Sequence, residues 1–114
     1  MTSSSPEYNG TLPAVIKNTI DWGSRPFGAN AVAGKPVAVI GSAFGQCGGV
    51  WAQDETRKSL GIAGARVLED ISVAIPGSPV RFADLHPRDD QEAAAQLAGV
   101  LEGLIAATTR AEVA

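Results

Sequence analysis

The sequence predicts an α/β fold built on a parallel sheet, and three observations carry that prediction. Val37-Ala38-Val39-Ile40 is apolar on both faces and rich in β-branched residues, as a strand covered on both sides of a parallel sheet must be. It runs directly into Gly41-Ser42-Ala43-Phe44-Gly45-Gln46-Cys47-Gly48-Gly49, whose glycines let the backbone turn sharply and approach a ligand closely. A stretch of helical composition then spans Val50 to Gly61, with Asp54 and Glu55 balancing Arg57 and Lys58. Strand, glycine-rich loop and helix in that order build a site at the carboxyl end of an open α/β sheet.

At 114 residues the chain makes one domain, with a disordered start over residues 1–5 and a globular part over 6–110. Its 45% hydrophobic and 18% charged residues are ordinary for a globular fold. A net charge of −3 with no basic run advertises no nucleic-acid surface. Cys47 is the single cysteine, which excludes an internal disulfide and fits a reducing compartment. The apolar runs fall far short of the roughly 18 residues of a membrane span, and the start has no secretion-signal pattern. These features together read as a cytoplasmic protein without membrane partners.

Taken in order, Met1-Thr2-Ser3-Ser4-Ser5 is polar and without periodicity, a frayed start. Pro6 fixes one φ, Asn9-Gly10 tolerates positive φ, and Pro13 suits a first helical turn. The helix that follows to Trp22 carries Ile16 and Ile20 one turn apart, beside Val15 and Thr19. Gly23 to Lys35, rich in Gly, Ala and Pro, is a connecting loop. After the strand and helix already described, Ala65-Arg66-Val67-Leu68 reads as a strand. Ile71 to Ile75 reads as a separate extended segment ended by Pro76-Gly77. Ser78 to Pro87 reads as loop. Asp89 or Asp90 caps a last helix reaching about Thr108, whose Leu97, Val100, Leu101, Leu104 and Ile105 form a stripe expected to pack on the sheet.

Pro6-Glu7-Tyr8-Asn9, then Pro13, then Lys17-Asn18 with Ile20-Asp21-Trp22, resembles the second flavin-contacting loop of the NADPH-dependent FMN reductases, a family of quinone, chromate and azo-dye reductases. The glycine-rich loop is similar to that family's loop after its fourth strand, with Ser42, Gly48, Gly49 and Ala52-Gln53 in the matching places and Phe44 where the family often has Pro. The resemblance runs over residues 6–107. It implies a flavodoxin-like three-layer α/β/α fold, truncated so that the first strands and the first phosphate-binding loop are missing. The cofactors it implies are FMN and NADPH, with hydride passing from NADPH to N5 of FMN and on to a quinone, azo dye or metal oxyanion. Pro6, Glu7, Tyr8, Asn9, Ser42, Gly45, Gly48 and Gly49 are the cofactor-binding residues it implies, and no side chain serves as acid or base. Partners implied are a small-molecule electron acceptor and further copies in a homo-oligomer. A second reading of the same residues is a non-catalytic flavodoxin-like remnant that pairs with or modulates another chain.

Other motifs carry less. The glycine spacing matches neither Gly-x-Gly-x-x-Gly nor a Walker loop. Cys47 has no His or second Cys nearby to activate it, His86 precedes Pro87 in a polar loop, and one of each cannot form a structural zinc site. Trp22 and Trp51 read as core or interface aromatics.

Overall fold

The computed structural model describes residues 2–43, 45 and 48–113. Three strands, β1 (Thr2–Ser4), β2 (Pro36–Ser42) and β3 (Arg66–Ile75), form a sheet in that order, and every pairing is parallel. Four helices accompany it: α1 (Ala14–Gly23), α2 (Val50–Ile62), the single turn α3 (Ser78–Arg81) and α4 (Gln91–Val113).

The alternation of β2 sorts the core into two layers. Val37 and Val39 are fully buried on one face with Leu60 of α2, against which Ile20 of α1, Ala65 and Val67 pack. Ala38 points the other way and joins Val73, Ile75, Ala93 and Val100, with Ile40, Phe82 and Leu104 around them. Side chains in a strand alternate between faces, so this one apolar run feeds both layers. The result is a helix–sheet–helix sandwich.

β1 corrects the expectation of a frayed start. Thr2, Ser3 and Ser4 pair with Ala38, Val39 and Ile40. A strand of small polar residues has no hydrophobic pattern to announce it; it is held by the backbone groups that pair with β2. Gly41 permits the close packing that follows, since a Cβ there would lie 2.8 Å from the Ser5 carbonyl oxygen.

The two extended segments expected between Ala65 and Ile75 are one strand with an irregularity. Val37 pairs with Val67 but Val39 with Ser72, so β3 advances five residues while β2 advances two. Arg57 fills the gap this opens: Nη2 donates to the Val39 carbonyl at 2.9 Å and lies 3.0 Å from Gln53 Oε1.

The segment read as loop after Ser78 contains α3 and a 3₁₀ turn at Pro87–Asp89. Asp90 caps α4, with its Oδ1 accepting from Ala93 N at 3.1 Å and both oxygens meeting Arg81 at 2.7 and 3.0 Å. The Arg81 hydrogen bonds, aided by the Ala93 amide, hold the Asp90 carboxyl down at about 2. The stripe expected on α4 packs only in part: Val100 is 4% exposed, whereas Leu101 and Ile105 are 55% and 65% exposed. Trp22 and Trp51 are also exposed, which excludes a core role for either. Among the described residues no helix is long and apolar enough to cross a membrane.

Candidate functional site

Because all three strands run the same way, the connections that leave them emerge at one edge of the sheet. Residues 5–13 follow β1, 43–49 follow β2, and Pro76-Gly77 follows β3. Hydrogen bonds knit the last two together. Ala43 N donates to the Ile75 carbonyl at 3.0 Å, Ser78 N to the Ala43 carbonyl at 3.1 Å, and Gly77 N to the Gly45 carbonyl at 3.4 Å.

The first connection is a tight turn. Tyr8 and Thr11 exchange backbone hydrogen bonds of 2.9 and 3.1 Å, and the two residues between them have positive φ, 53° at Asn9 and 79° at Gly10. Asn-Gly is the pair that adopts such a turn at least cost. Among the described residues, neither the Asn9 nor the Gly10 amide donates to a backbone carbonyl. Tyr8 stands 61% exposed beside them. Pro6 is exposed, and its carbonyl accepts from Ser5 Oγ at 2.8 Å.

Glu7 turns inward. Its Oε2 accepts from Ala52 N, in the first turn of α2, at 3.1 Å. Gly10 meets the next side chain of that turn, with its absent Cβ directed 3.5 Å from Trp51 Cε3. The β1 connection is therefore seated on the start of the helix that the β2 connection enters.

Within the glycine-rich loop the glycines differ. Gly49 is the α2 N-cap with φ 83° and is buried. Gly48 is pressed onto β3, where a Cβ would come within 2.9 Å of the Ala74 carbonyl carbon and 3.0 Å of Ile75 N. Gly45 is exposed with nothing within 4 Å of a Cβ. Ser42 ends β2 and lines a largely apolar hollow of about 220 Å³ with Ser4, Ile40, Ile75 and Phe82. Phe44, Gln46 and Cys47 lie outside the described residues. His86 is exposed, its Nδ1 accepting from Arg88 N at 3.1 Å.

Sequence reasoning missed two contributors at this edge. Trp51 supports the Gly10 turn and walls a hollow of about 280 Å³ with Asp54, Glu55 and Lys58. Gly77, read only as a strand break, ties the third connection to Gly45. Neither contact had a local signal, since each joins residues far apart in the chain.

The three connections at this edge contain no Lys or Arg. A phosphate dianion therefore finds no cationic partner within the connections themselves, and Lys58 is a cation the structure places beside them, in the hollow shared by Gly10 and Trp51.

The profile of the NADPH-dependent FMN reductases matches residues 3–79. The chain belongs to this family. FMN and NADPH are the cofactors that membership implies. A 2-hydroxy-1,4-benzoquinone reductase of Burkholderia sp is 47% identical over 53 residues, which are 46% of this chain and 29% of that protein. A quinone reductase of Pseudomonas putida is 48% identical over 56 residues, 49% of this chain and 30% of that protein. In three dimensions the chain is similar to FerB, a flavoenzyme NAD(P)H:(acceptor) oxidoreductase from Paracoccus denitrificans. The TM-score is 0.74 at 30% identity, covering 91% of this chain and 57% of FerB. The fold is thus the flavodoxin-like α/β/α arrangement. The matched region spans less than a third of those two reductases.

Proposed function

We propose that the connections after β1 and β2 hold the isoalloxazine ring of FMN, in a flavoprotein that carries electrons from NADPH to a quinone, azo or metal-oxyanion acceptor. One observation carries this reading: Glu7 and Gly10 seat the Tyr8-Asn9 turn on the first turn of α2, so the two connections that resemble the family's flavin loops lie side by side. When bound, FMN supplies two-electron hydride exchange, which no side chain can.

The roles left to the chain are binding and orientation. The Asn9 and Gly10 amides donate to the ring's pyrimidine rim, and Tyr8 covers part of its face. Pro6 holds the approach to the turn, while Ser42, Gly45 and Gly49 bound the other side. Gly48 contributes by fixing that loop on β3. The phosphate relies on groups outside these three connections.

Titration of the purified protein with FMN, read by quenching of flavin fluorescence, tests the proposal. Saturable binding is expected, with Tyr8→Ala weakening it roughly 3–10-fold, the scale of one aromatic contact. Absence of saturable binding at any accessible FMN concentration would sink the reading and favour a non-catalytic chain that pairs with another. The proposal also places the protein in the cytoplasm as a homo-oligomer joined through α1 and α2. The exposure of Val15 and Trp22, 72% and 77%, supports that surface. Sedimentation of Trp22→Lys against the native protein reads it directly, with the variant expected to dissociate at higher concentration.

A further inference from the structure

The Glu7 carboxylate does not point away from the protein: one oxygen is engaged on a backbone amide 45 residues further along the chain. That amide belongs to Ala52, the third residue of α2, where an N-capping side chain normally makes its bond. The N-cap itself is Gly49, which has no side chain and makes no such bond. Glu7 thus supplies from a different loop the cap that Gly49 cannot, and its negative charge sits at the positive end of the helix dipole.

A second point of attachment lies on the other side of the turn. Gly10 has φ 79° and lies against the Trp51 indole, so a side chain there would be strained by the backbone conformation. Tyr8 and Asn9 stand between these two points. A turn pinned on both sides cannot swing independently of α2.

We infer that Glu7 is a positioning residue, which with Trp51 forms a latch that holds the Tyr8-Asn9 turn on α2 and acts on the ring only through that turn. The inference rests on the proposed flavin role of the turn for its functional consequence, but the latch itself is a property of the protein without ligand. A latched turn presents its backbone in one geometry before ligand arrives, which lowers the ordering cost of binding.

Amide exchange followed by NMR, with and without FMN, tests it in Glu7→Ala, Glu7→Gln and Trp51→Ala proteins whose folding is verified by circular dichroism. In the absence of FMN, Glu7→Ala should speed exchange of the Ala52 and Thr11 amides about tenfold, the scale of one lost cap. Glu7→Gln, which keeps an oxygen acceptor, should restore most of the protection and leave FMN affinity within about threefold of native, while Glu7→Ala weakens it about tenfold. Glu7→Ala and Trp51→Ala together should weaken FMN binding by less than the product of the two single effects. Unchanged exchange in Glu7→Ala alongside a collapse of FMN affinity would show direct contact with the ring and overturn the latch. Unchanged exchange with unchanged affinity overturns it as well. If the native protein binds no FMN, the flavin reading fails, and the exchange measurements still decide the latch on their own.

Discussion

Gly48 and Gly45 stand three residues apart in one loop, and their environments set opposite expectations for the same substitution. A methyl group on Gly48 would collide with the backbone of Ala74 and Ile75 at 2.9 and 3.0 Å, in a conformation with φ 62° that L-residues rarely adopt. Backbone atoms within a paired strand cannot step aside as a flexible side chain can. Gly48→Ala should therefore lower stability by about 2–3 kcal/mol, combining left-handed strain with a clash. Gly45→Ala meets nothing within 4 Å and should stay within about 0.5 kcal/mol of native. Urea midpoints of the two variants decide the matter, and equal midpoints would contradict the packing described. Composition announces a glycine-rich loop but not which glycine is indispensable, because that depends on where β3 lies. Asn9-Gly10 was legible for the opposite reason: a turn's positive φ is a local demand that the dipeptide itself answers.

Secondary-structure elements here are stitched to one another by a few buried polar side chains, and those are the points at which they should fail. Arg57, on α2, has a side chain only 11% exposed and reaches across the β2–β3 irregularity to the Val39 carbonyl, Gln53 and Ser72. Arg57→Ala would leave the Val39 carbonyl and the Gln53 side chain without that donor, at an expected loss of about 2–4 kcal/mol measured by denaturant unfolding. A loss below roughly 0.5 kcal/mol would mean the ladder closes without it. Asp90 joins α3 to α4 in a comparable way, and its carboxyl is held at about 2 against an ordinary 3.8. A depressed carboxyl stabilises the fold fully above the unfolded value and loses that contribution as pH falls from about 4 through about 2. Thermal melts of native and Asp90→Asn proteins should accordingly differ at pH 6, with most of the gap gone by pH 2; a gap at pH 2 as large as at pH 6 would assign the stabilisation to something other than the Asp90 charge. This is also the scale at which sequence reading divides most clearly. β2, α2 and the capping of α4 follow from local pattern and were legible. β1 was not, because Thr2-Ser3-Ser4 is held by pairing alone, and β3 looked like two pieces because Glu69 and Asp70 interrupt its apolar alternation at the irregularity. The site was split likewise, with its turn visible in sequence and the Glu7–Ala52 bond invisible across 45 residues.

At the scale of the molecule, the three strands among the described residues provide limited area for the helices packed on them, and β1 and β3 are the outer two of the three. Only part of α4's apolar side finds the sheet. Val100 is 4% exposed within the core that includes Ala38, Val73 and Ile75, while Leu97, Leu101 and Ile105, spaced one turn apart, are 39%, 55% and 65% exposed. Burial, not hydrophobicity, sets what a substitution costs, so neighbours on one helix should respond differently. Val100→Ala removes buried methyl groups and should destabilise by about 1–3 kcal/mol. Leu101→Gln with Ile105→Gln removes surface that is mostly in water already and should change stability by no more than about 1 kcal/mol, while reducing the fluorescence of a bound apolar dye such as ANS. Both quantities come from one set of unfolding and dye-binding curves at low protein concentration. A large destabilisation by the paired glutamines, matching that of Val100→Ala, would mean that the outer stripe is covered in solution. Loss of dye fluorescence with stability preserved would establish that this face of α4 is open apolar surface.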